Sequence, residues 1–286
     1  MYCISLYYLF YILYYISYII YKNKHRAVQL SVRCSTWLQS KYFPVWVIRL
    51  PFLSVLHPDP SDVDREDRSV INRTVLYRVS NKQTDYQQKR SIFFVHGGGF
   101  VSGDYQSYRS FCLELVRRTD DRCPIEIWFP EYRLCPENHV GDSISDILML
   151  YQEIQRTGST PLIIADSAGA FLAIQLLQSV SRCPGLLLLS PILNVSPCFF
   201  GNKSSIYSID YSKIPPVTVW LSDTEIFSED GVQFVNDVIK YGGNAKLYKY
   251  RDTVHLWMLF WFLHEEGEQA MGEILDTILK QSKKKD

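Results

Sequence analysis

The chain has 286 residues, of which 47% are hydrophobic, and its 30 Lys and Arg residues balance its 30 Asp and Glu residues. That length suits one large domain with an appendage, and the apolar content can supply a sizeable core. The balanced charge excludes a strongly basic or acidic protein, so nothing in the composition indicates a nucleic-acid partner. The seven cysteines stand singly, without a CxxC pair, which argues against a zinc site.

Residues 2–21 form a run without a charged side chain, and Lys22 follows it directly. A helix of that length, at about 1.5 Å per residue, is roughly 30 Å long and can cross the hydrocarbon core of a bilayer. We therefore predict a transmembrane or membrane-anchoring helix over 1–21, retained because no signal-peptide features flank it. The run also contains many tyrosines, which prefer the membrane interface, so a helix lying in the surface is the alternative.

Residues 22–70 are predicted to form an aromatic cap and linker segment. Aromatic side chains are dense over 36–58, where two prolines interrupt regular structure. This stretch is interpreted either as a cap on the following domain or as a surface that dips into lipid. Residues 57–70 are charged and rich in turn-forming residues, which predicts a linker and places the main domain at 71–286.

Apolar runs that predict strands alternate with helical patterns through the rest of the chain. This alternation predicts an α/β fold, with a mostly parallel central sheet covered by helices on both faces. In such sheets, reactive residues lie in the loops beyond the carboxyl ends of the strands. The predicted strands are 74–79, 91–95, 125–129, 161–165, 185–190, 216–221 and 246–250, and the predicted helices are 105–118, 142–156, 168–180, 229–241 and 257–280.

Two motifs directly follow predicted strands: residues 96–100 read HGGGF, and residues 165–169 read ADSAG. A glycine turn can supply backbone N–H donors to an oxyanion, and a serine on a sharp strand-to-helix turn can act as an exposed nucleophile. Ala165 replaces the first glycine of the usual G-x-S-x-G pattern and adds one methyl group where strand and helix pack closely. The two motifs in this order predict a serine esterase.

A third block, residues 131–137 with the sequence EYRLCPE, lies between these motifs, and Asp146 follows it in a helical pattern. With these features the chain resembles the hormone-sensitive-lipase branch of the α/β-hydrolases, whose members carry HGGGF, a DYRLxPE block and GDSAG in that order. The resemblance implies an α/β-hydrolase fold. Within the branch, the anchored N-terminus is most similar to that of the fungal steryl acetyl hydrolases and the arylacetamide deacetylases.

The base and the acid of a triad are expected after the last two predicted strands. His255 is the one histidine that lies downstream of Ser167 in a loop after a strand, whereas His264 falls in an apolar helical pattern and is expected to be structural. The chain order serine, acid, histidine therefore predicts Ser167 as the nucleophile and His255 as the general base.

Two carboxylates, Asp223 and Glu225, follow the predicted strand 216–221. In the family, a carboxylate precedes two apolar residues, a basic or polar residue, an acidic pair and a glycine. Residues 225–231, with the sequence EIFSEDG, fit this frame without a gap. The resemblance thus implies Glu225 as the acid, where aspartate is commoner, and leaves Asp223 as the runner-up.

The resemblance implies hydrolysis of a short-chain acyl ester of an apolar alcohol such as a sterol, without a metal or an organic cofactor. The oxyanion is expected to bind the N–H groups of Gly98, Gly99 and Ala168. Membrane lipid is the other expected partner. Kynurenine formamidases share the fold and are an amidase alternative, although their glycine motif usually has tryptophan at the position of Phe100.

The segment in which relatives usually insert cap helices is reduced here to residues 192–214. A reduced cap predicts a more open acyl pocket, and it also leaves a catalytically degenerate, lipid-binding homologue as an alternative. The expected location is the endoplasmic-reticulum membrane. Basic residues after the first run favour a cytosolic body, whereas the glycosylation acceptors at Asn72 and Asn202 favour a lumenal one, so the sequence leaves the side open.

Overall fold

The computed structural model describes residues 65–80, 89–119, 123–194, 209–225 and 227–280. The predicted membrane helix and the aromatic segment over 36–58 lie outside these ranges. Within them, none of the helices has both the length and the apolar composition needed to cross a membrane.

The described residues contain an eight-stranded sheet. Its strands are β1 Arg65–Ile71, β2 Thr74–Ser80, β3 Arg90–Val95, β4 Ile125–Glu131, β5 Leu162–Asp166, β6 Leu186–Leu189, β7 Val217–Ser222 and β8 Ala245–Tyr250. Their order across the sheet is β1-β2-β4-β3-β5-β6-β7-β8. The β1–β2 and β2–β4 pairs are antiparallel, and all other neighbours are parallel. This topology confirms the predicted, mostly parallel sheet.

Helices cover both faces of this sheet, as predicted. The side chains of α1 and α5 pack into one core cluster, and those of α2, α3 and α4 pack into another on the opposite face. The helices in the described residues are α1 Tyr105–Arg118, α2 Val140–Arg156, α3 Ala168–Leu177, α4 Ser228–Lys240 and α5 Glu265–Lys280.

The central strands are apolar on both faces because successive side chains of a strand point to opposite sides. In β3, Phe93 and Val95 belong to the cluster with α2, α3 and α4, whereas Ile92 and Phe94 belong to the other one. All four side chains are fully buried. Continuous apolar runs are therefore the sequence signal of strands buried on both faces.

The prediction that residues 57–70 form a linker is wrong from Arg65 onward. Strand β1 pairs with β2 along its whole length, and Asn72 and Arg73 join the two strands with positive φ angles of 46° and 72°. Two consecutive positive φ angles are the requirement of a tight type I′ hairpin turn. β1 lies at the edge of the sheet, where charged side chains prevent further pairing, and this charge concealed the strand. The described part of the sheet thus includes Arg65–Ile71, ahead of the boundary predicted at residue 71.

The predicted helix 257–280 is divided into a short 3₁₀ turn, Trp257–Phe260, and α5. His264 caps the start of α5, because its Nδ1 accepts a hydrogen bond of 2.9 Å from the Gly267 N–H in the first turn of that helix. A Cβ atom on Gly267 would lie 2.9 Å from the Trp261 Cα, so only glycine allows this close turn. The expectation that His264 is structural agrees with this capping contact.

Two short pieces of the reduced cap segment are described, residues 192–194 and 209–214. The returning chain is fixed to the end of α3. There the Lys213 Nζ donates to the Gln178 carbonyl at 2.7 Å, and the Gln178 side chain accepts from the Asp210 N–H at 3.0 Å. The start of the segment is held at the other end of α3, since the Ile192 N–H donates to the Ser167 carbonyl.

Candidate active site

Ser167 occupies a sharp turn between β5 and α3, with φ 48° and ψ −122°. A positive φ is uncommon for a residue other than glycine, and such strain typically costs about 1–3 kcal/mol. Backbone hydrogen bonds hold the turn on both sides: the Ser167 N–H donates to the Leu189 carbonyl at 3.0 Å, and the Ser167 carbonyl accepts from the Ile192 N–H at 2.9 Å. The turn at Ser167 is therefore anchored to the neighbouring strand β6 and to the chain that follows it.

Two glycines allow the close packing around this turn. A Cβ atom on Gly169 would lie 2.2 Å from the Val95 carbonyl oxygen, and one on Gly97 would lie 2.8 Å from the Ser167 Cβ. Ala165, at the position of the missing first glycine, is fully buried and pairs with Val95 across β3 and β5. The core therefore accommodates this extra methyl group, whereas a side chain at position 97 or 169 would collide with its surroundings.

The side chains of Ser167, His255 and Glu225 form a continuous hydrogen-bonded series. The His255 Nε2 lies 2.9 Å from the Ser167 Oγ, and the His255 Nδ1 lies 3.0 Å from the Glu225 Oε1. The other carboxylate oxygen, Oε2, accepts from the Ser222 N–H at 3.2 Å. With Nδ1 donating its proton to the carboxylate, Nε2 presents its lone pair to the serine hydroxyl, as a general base requires.

The two candidate acids occupy different environments. The Glu225 side chain is only 6% exposed and faces the imidazole. Asp223 is exposed, and its Oδ1 accepts from the backbone N–H of Asp252 at 3.1 Å. The structure therefore places Glu225 beside His255, at hydrogen-bond distance, and it places the runner-up Asp223 in a contact with the backbone of the neighbouring loop.

The glycine motif forms a tight turn beside the nucleophile. The N–H groups of Val101 and Ser102 both donate to the Gly98 carbonyl, and Gly98 and Gly99 have φ angles of 99° and 62°. Ala168 is the first residue of α3, where backbone N–H groups lack intrahelical acceptors. Within the described residues, no group accepts from the N–H of Gly98, Gly99 or Ala168. These three donors, one of them at a helix N-terminus, suit a developing negative charge.

The His96 side chain packs against the glycine turn and helps to hold its conformation. Its ring stacks between Tyr132 and Phe129, with centroid distances of 4.2 and 5.3 Å, and its Nδ1 lies 2.8 Å from the Gly97 carbonyl. Burial lowers the pKa of His96 to about 4, so the ring is neutral at physiological pH. His96 thus connects the glycine turn to the aromatic side chains that follow and precede the end of β4.

The third sequence block supports the same turn from the next strand. The Tyr132 hydroxyl donates to the His96 carbonyl at 2.6 Å, and the Cys135 N–H donates to the Phe100 carbonyl at 2.8 Å. The Arg133 guanidinium pairs with the Asp146 carboxylate through two hydrogen bonds, of 2.9 and 2.8 Å, which fix the block on α2. The three motifs are therefore parts of one structure around the glycine turn.

Asp166, the last residue of β5, joins the turn at Ser167 to the glycine turn. Its carboxylate is fully buried, and it accepts from the Gly97 N–H at 2.8 Å and from the Tyr108 hydroxyl at 2.9 Å. Burial raises the pKa of Asp166 to about 7, although both donors favour the charged form. The sequence analysis assigns Asp166 no role of its own, and no local pattern marks Tyr108 because its partner lies 58 residues away in the chain.

Comparisons with known proteins show the family to which this chain belongs. A family model described as alpha/beta hydrolase fold matches residues 92–205. An esterase from Acinetobacter venetianus is 32% identical over 227 residues, which cover 65% of this chain and 73% of the esterase. The chain belongs to the α/β-hydrolase fold family. Within that family, its three motifs are those of the hormone-sensitive-lipase branch.

Two further comparisons agree with this membership. An acetyl-hydrolase from Streptomyces hygroscopicus is 20% identical over 233 residues, which cover 68% of this chain and 76% of the acetyl-hydrolase. The crystal structure of an esterase from the bacterial hormone-sensitive lipase family has a TM-score of 0.68 at 19% identity, covering 82% of this chain and 90% of that one. The structural match shows the shared fold, and the named relatives support an esterase-type hydrolase.

The buried charge of Asp166 predicts a pH-dependent stability. Its carboxyl is protonated in folded and unfolded chains below its ordinary pKa of 3.8 and ionised in both above about 7. Between these values the unfolded chain releases the proton first, so stability falls as pH rises. The Asp166→Asn variant has no ionisable group at this position, so its stability does not fall in this way. Its stability relative to the wild type should therefore rise between pH 4.5 and 8, by an amount on the order of a few kcal/mol.

Urea unfolding of both proteins at the two pH values measures this difference. Asp276→Asn, at a largely exposed carboxylate on α5, serves as the matched control for loss of one negative charge. A difference between Asp166→Asn and the wild type that is the same at both pH values would contradict the prediction.

Proposed function

We propose that this hydrolase is a serine esterase that removes short acyl groups from apolar alcohols, sterols among them. The observation that carries the proposal is the hydrogen-bonded series from the Glu225 carboxylate through His255 to the Ser167 hydroxyl. It lies beyond the carboxyl ends of β5, β7 and β8, where α/β sheets place their reactive groups. The esterase and the acetyl-hydrolase among the relatives support the same class of reaction.

In the first half of the proposed reaction, the His255 Nε2 takes the proton of Ser167 as its oxygen attacks the ester carbonyl. The negative charge that develops on the carbonyl oxygen is held by the N–H groups of Gly98, Gly99 and Ala168. The imidazolium then gives its proton to the departing alcohol, which leaves an acyl group on the serine. Throughout, the Glu225 carboxylate keeps the imidazole in the right tautomer and stabilises its positive charge.

In the second half, water replaces the alcohol. His255 takes a proton from the water, whose oxygen attacks the acyl-enzyme, and the same oxyanion donors hold the second tetrahedral intermediate. The proton then returns to Ser167 as the carboxylic acid leaves. The proton transfers use side chains that already lie within hydrogen-bond distance of one another, from Glu225 through His255 to Ser167.

Apolar side chains next to the glycine turn support an apolar substrate. Phe100 and Phe171 are buried and meet edge to face, with a centroid distance of 6.0 Å. The half-buried side chains of Leu193 and Ile209, from the two ends of the reduced cap segment, pack against the hydrophobic core cluster that contains both of these rings. An arylacetamide deacetylase from Oryctolagus cuniculus, 31% identical over 105 residues that cover 34% of this chain and 26% of that enzyme, supports a short acyl group.

The role of the nucleophile is tested by Ser167→Ala. This variant should abolish hydrolysis of short-chain aryl esters and covalent labelling by a fluorophosphonate, because removing a triad member typically costs several orders of magnitude in rate. Circular dichroism should show an intact fold. Wild-type protein that binds lipid but does not react with the probe would instead identify a degenerate homologue, and more than a few per cent residual activity in the variant would contradict the assignment.

The role of the acid is tested by comparing Glu225→Gln with Asp223→Asn. The first variant keeps the side-chain shape but removes the charge behind His255, so kcat should fall by roughly 10²–10⁴-fold. The second removes a charge that faces the Asp252 N–H and should change kcat only a few-fold. Steady-state kinetics with one aryl ester measures both, and the larger loss in Asp223→Asn would overturn the choice of Glu225.

We further propose that residues 1–21 anchor the protein in the endoplasmic-reticulum membrane. Every residue of the proposed site lies beyond residue 95, so the site does not need this segment for its chemistry. Deleting residues 1–26 should move the protein from the membrane fraction to the supernatant and leave labelling of Ser167 intact. Tight membrane association after the deletion would shift the anchoring role to residues 36–58.

A glycan on Asn72 distinguishes the two orientations in the membrane. Asn72 is exposed in the turn between β1 and β2, where a glycosyl transferase can reach it. A glycosidase-sensitive band that Asn72→Gln removes would place the body in the lumen.

A further inference from the structure

The loops that carry Glu225 and His255 meet at one backbone carbonyl group. The hydroxyl of Ser222 lies 2.9 Å from the Thr253 carbonyl oxygen, and the hydroxyl of Thr224 lies 2.8 Å from the same atom. Ser222 ends β7, and Thr253 precedes His255 by two residues in the loop after β8. The two hydroxyl groups thus connect the loop of the acid to the loop of the base.

In each arrangement that uses both hydroxyl protons in these contacts, at least one of them is donated to the Thr253 carbonyl. The two hydroxyl oxygens are also 2.9 Å from each other. The two hydroxyl protons are therefore shared among three short contacts: one between the hydroxyls and one from each hydroxyl to the Thr253 carbonyl. At most one proton can lie between the hydroxyls, and the other must then point to the Thr253 carbonyl. Ser222 is fully buried and Thr253 is 5% exposed, so water competes little for the bond.

The connection acts on the carboxylate that faces His255. The backbone N–H of Ser222 donates to the Glu225 Oε2, while its hydroxyl contacts the Thr253 carbonyl. The same residue therefore holds the acid with its main chain and the base loop with its side chain. A glutamate reaches one methylene group further than an aspartate, so the position of its loop decides whether the carboxylate meets the imidazole at hydrogen-bond distance.

We propose that Ser222 and Thr224 are positioning residues that fix the distance between Glu225 and His255 by joining their loops at the Thr253 carbonyl. This inference rests on the proposed esterase function. Neither hydroxyl touches the Ser167–His255 pair directly. Their effect on turnover therefore passes through the Glu225–His255 hydrogen bond.

The central test compares Thr224→Val, which removes the hydroxyl but keeps the shape, with Thr224→Ser, which keeps the hydroxyl. Since a typical hydrogen bond contributes about 0.5–1.5 kcal/mol, Thr224→Val should lower kcat by roughly 2–10-fold and leave KM nearly unchanged. The double variant Ser222→Ala/Thr224→Val should lose more, and Thr224→Ser should retain wild-type kcat. Thr277→Val is the matched control, because it removes a 2.7 Å hydroxyl-to-carbonyl bond on α5.

A double-mutant cycle with Glu225→Gln separates positioning from general stability. If Thr224 acts through the carboxylate, adding Thr224→Val to Glu225→Gln should cause no further loss of kcat. An equal loss in both backgrounds, or wild-type kcat in Thr224→Val and in the double variant, would overturn the proposal. If the double variant fails to fold, the Thr224→Val and Thr224→Ser pair decides alone. Absence of Ser167-dependent hydrolysis in the wild type would overturn the proposed function together with this inference.

Discussion

The strained turn at Ser167 is the constraint on which the rest of the site depends. Its positive φ brings the hydroxyl to His255, but this conformation costs energy that the surrounding structure must offset. The compensation is visible in the hydrogen bonds to β6 and residue 192, in the fully buried helix α3, and in the contact distances that only Gly97 and Gly169 allow. The core around β5 therefore both stabilises the fold and holds the geometry of the site.

Two polar connections convert separate loops into one rigid site. On one side, the buried Asp166 carboxylate ties the turn at Ser167 to the glycine turn through the Gly97 N–H. On the other side, the hydroxyls of Ser222 and Thr224 tie the loop of the acid to that of the base. Donors that are held in place before the substrate arrives stabilise developing charge without reorganisation. A buried carboxylate is unfavourable for folding, so this rigidity is obtained at some loss of stability.

The sequence predicted the features that depend on local pattern. Buried strands such as β3 and β5 are continuous apolar runs, and the chain order of serine, acid and histidine selected His255 without a structure. Glu225 was preferred over Asp223 by the family frame. The distance of each carboxylate from the strand along the sequence would have favoured neither residue. Only the folded structure distinguishes them, because it places Glu225 beside His255 and Asp223 beside the Asp252 N–H.

The features that sequence reasoning missed depend on partners distant in the chain. Strand β1 is charged because it lies at the sheet edge, so it lacks the apolar pattern of an inner strand. Tyr108 is 58 residues from Asp166, and Thr224 is 29 residues from Thr253. Hydroxyl groups are common on protein surfaces, and the local sequence does not distinguish those that donate a hydrogen bond to a buried acceptor in the folded protein.

The position of β8 in the sheet has a consequence for how the protein would lose activity. β8 is the last strand of the described sheet and is bonded there to β7 alone, whereas β5 has a neighbour on each side. A strand held on one side opens more readily than a central one, through local fluctuations that leave the core folded. Because His255 follows β8, such an opening would separate its imidazole from a Ser167 hydroxyl that stays in place. Inactivation by heat or denaturant would then precede the cooperative transition, and the enzyme would fail first at its edge.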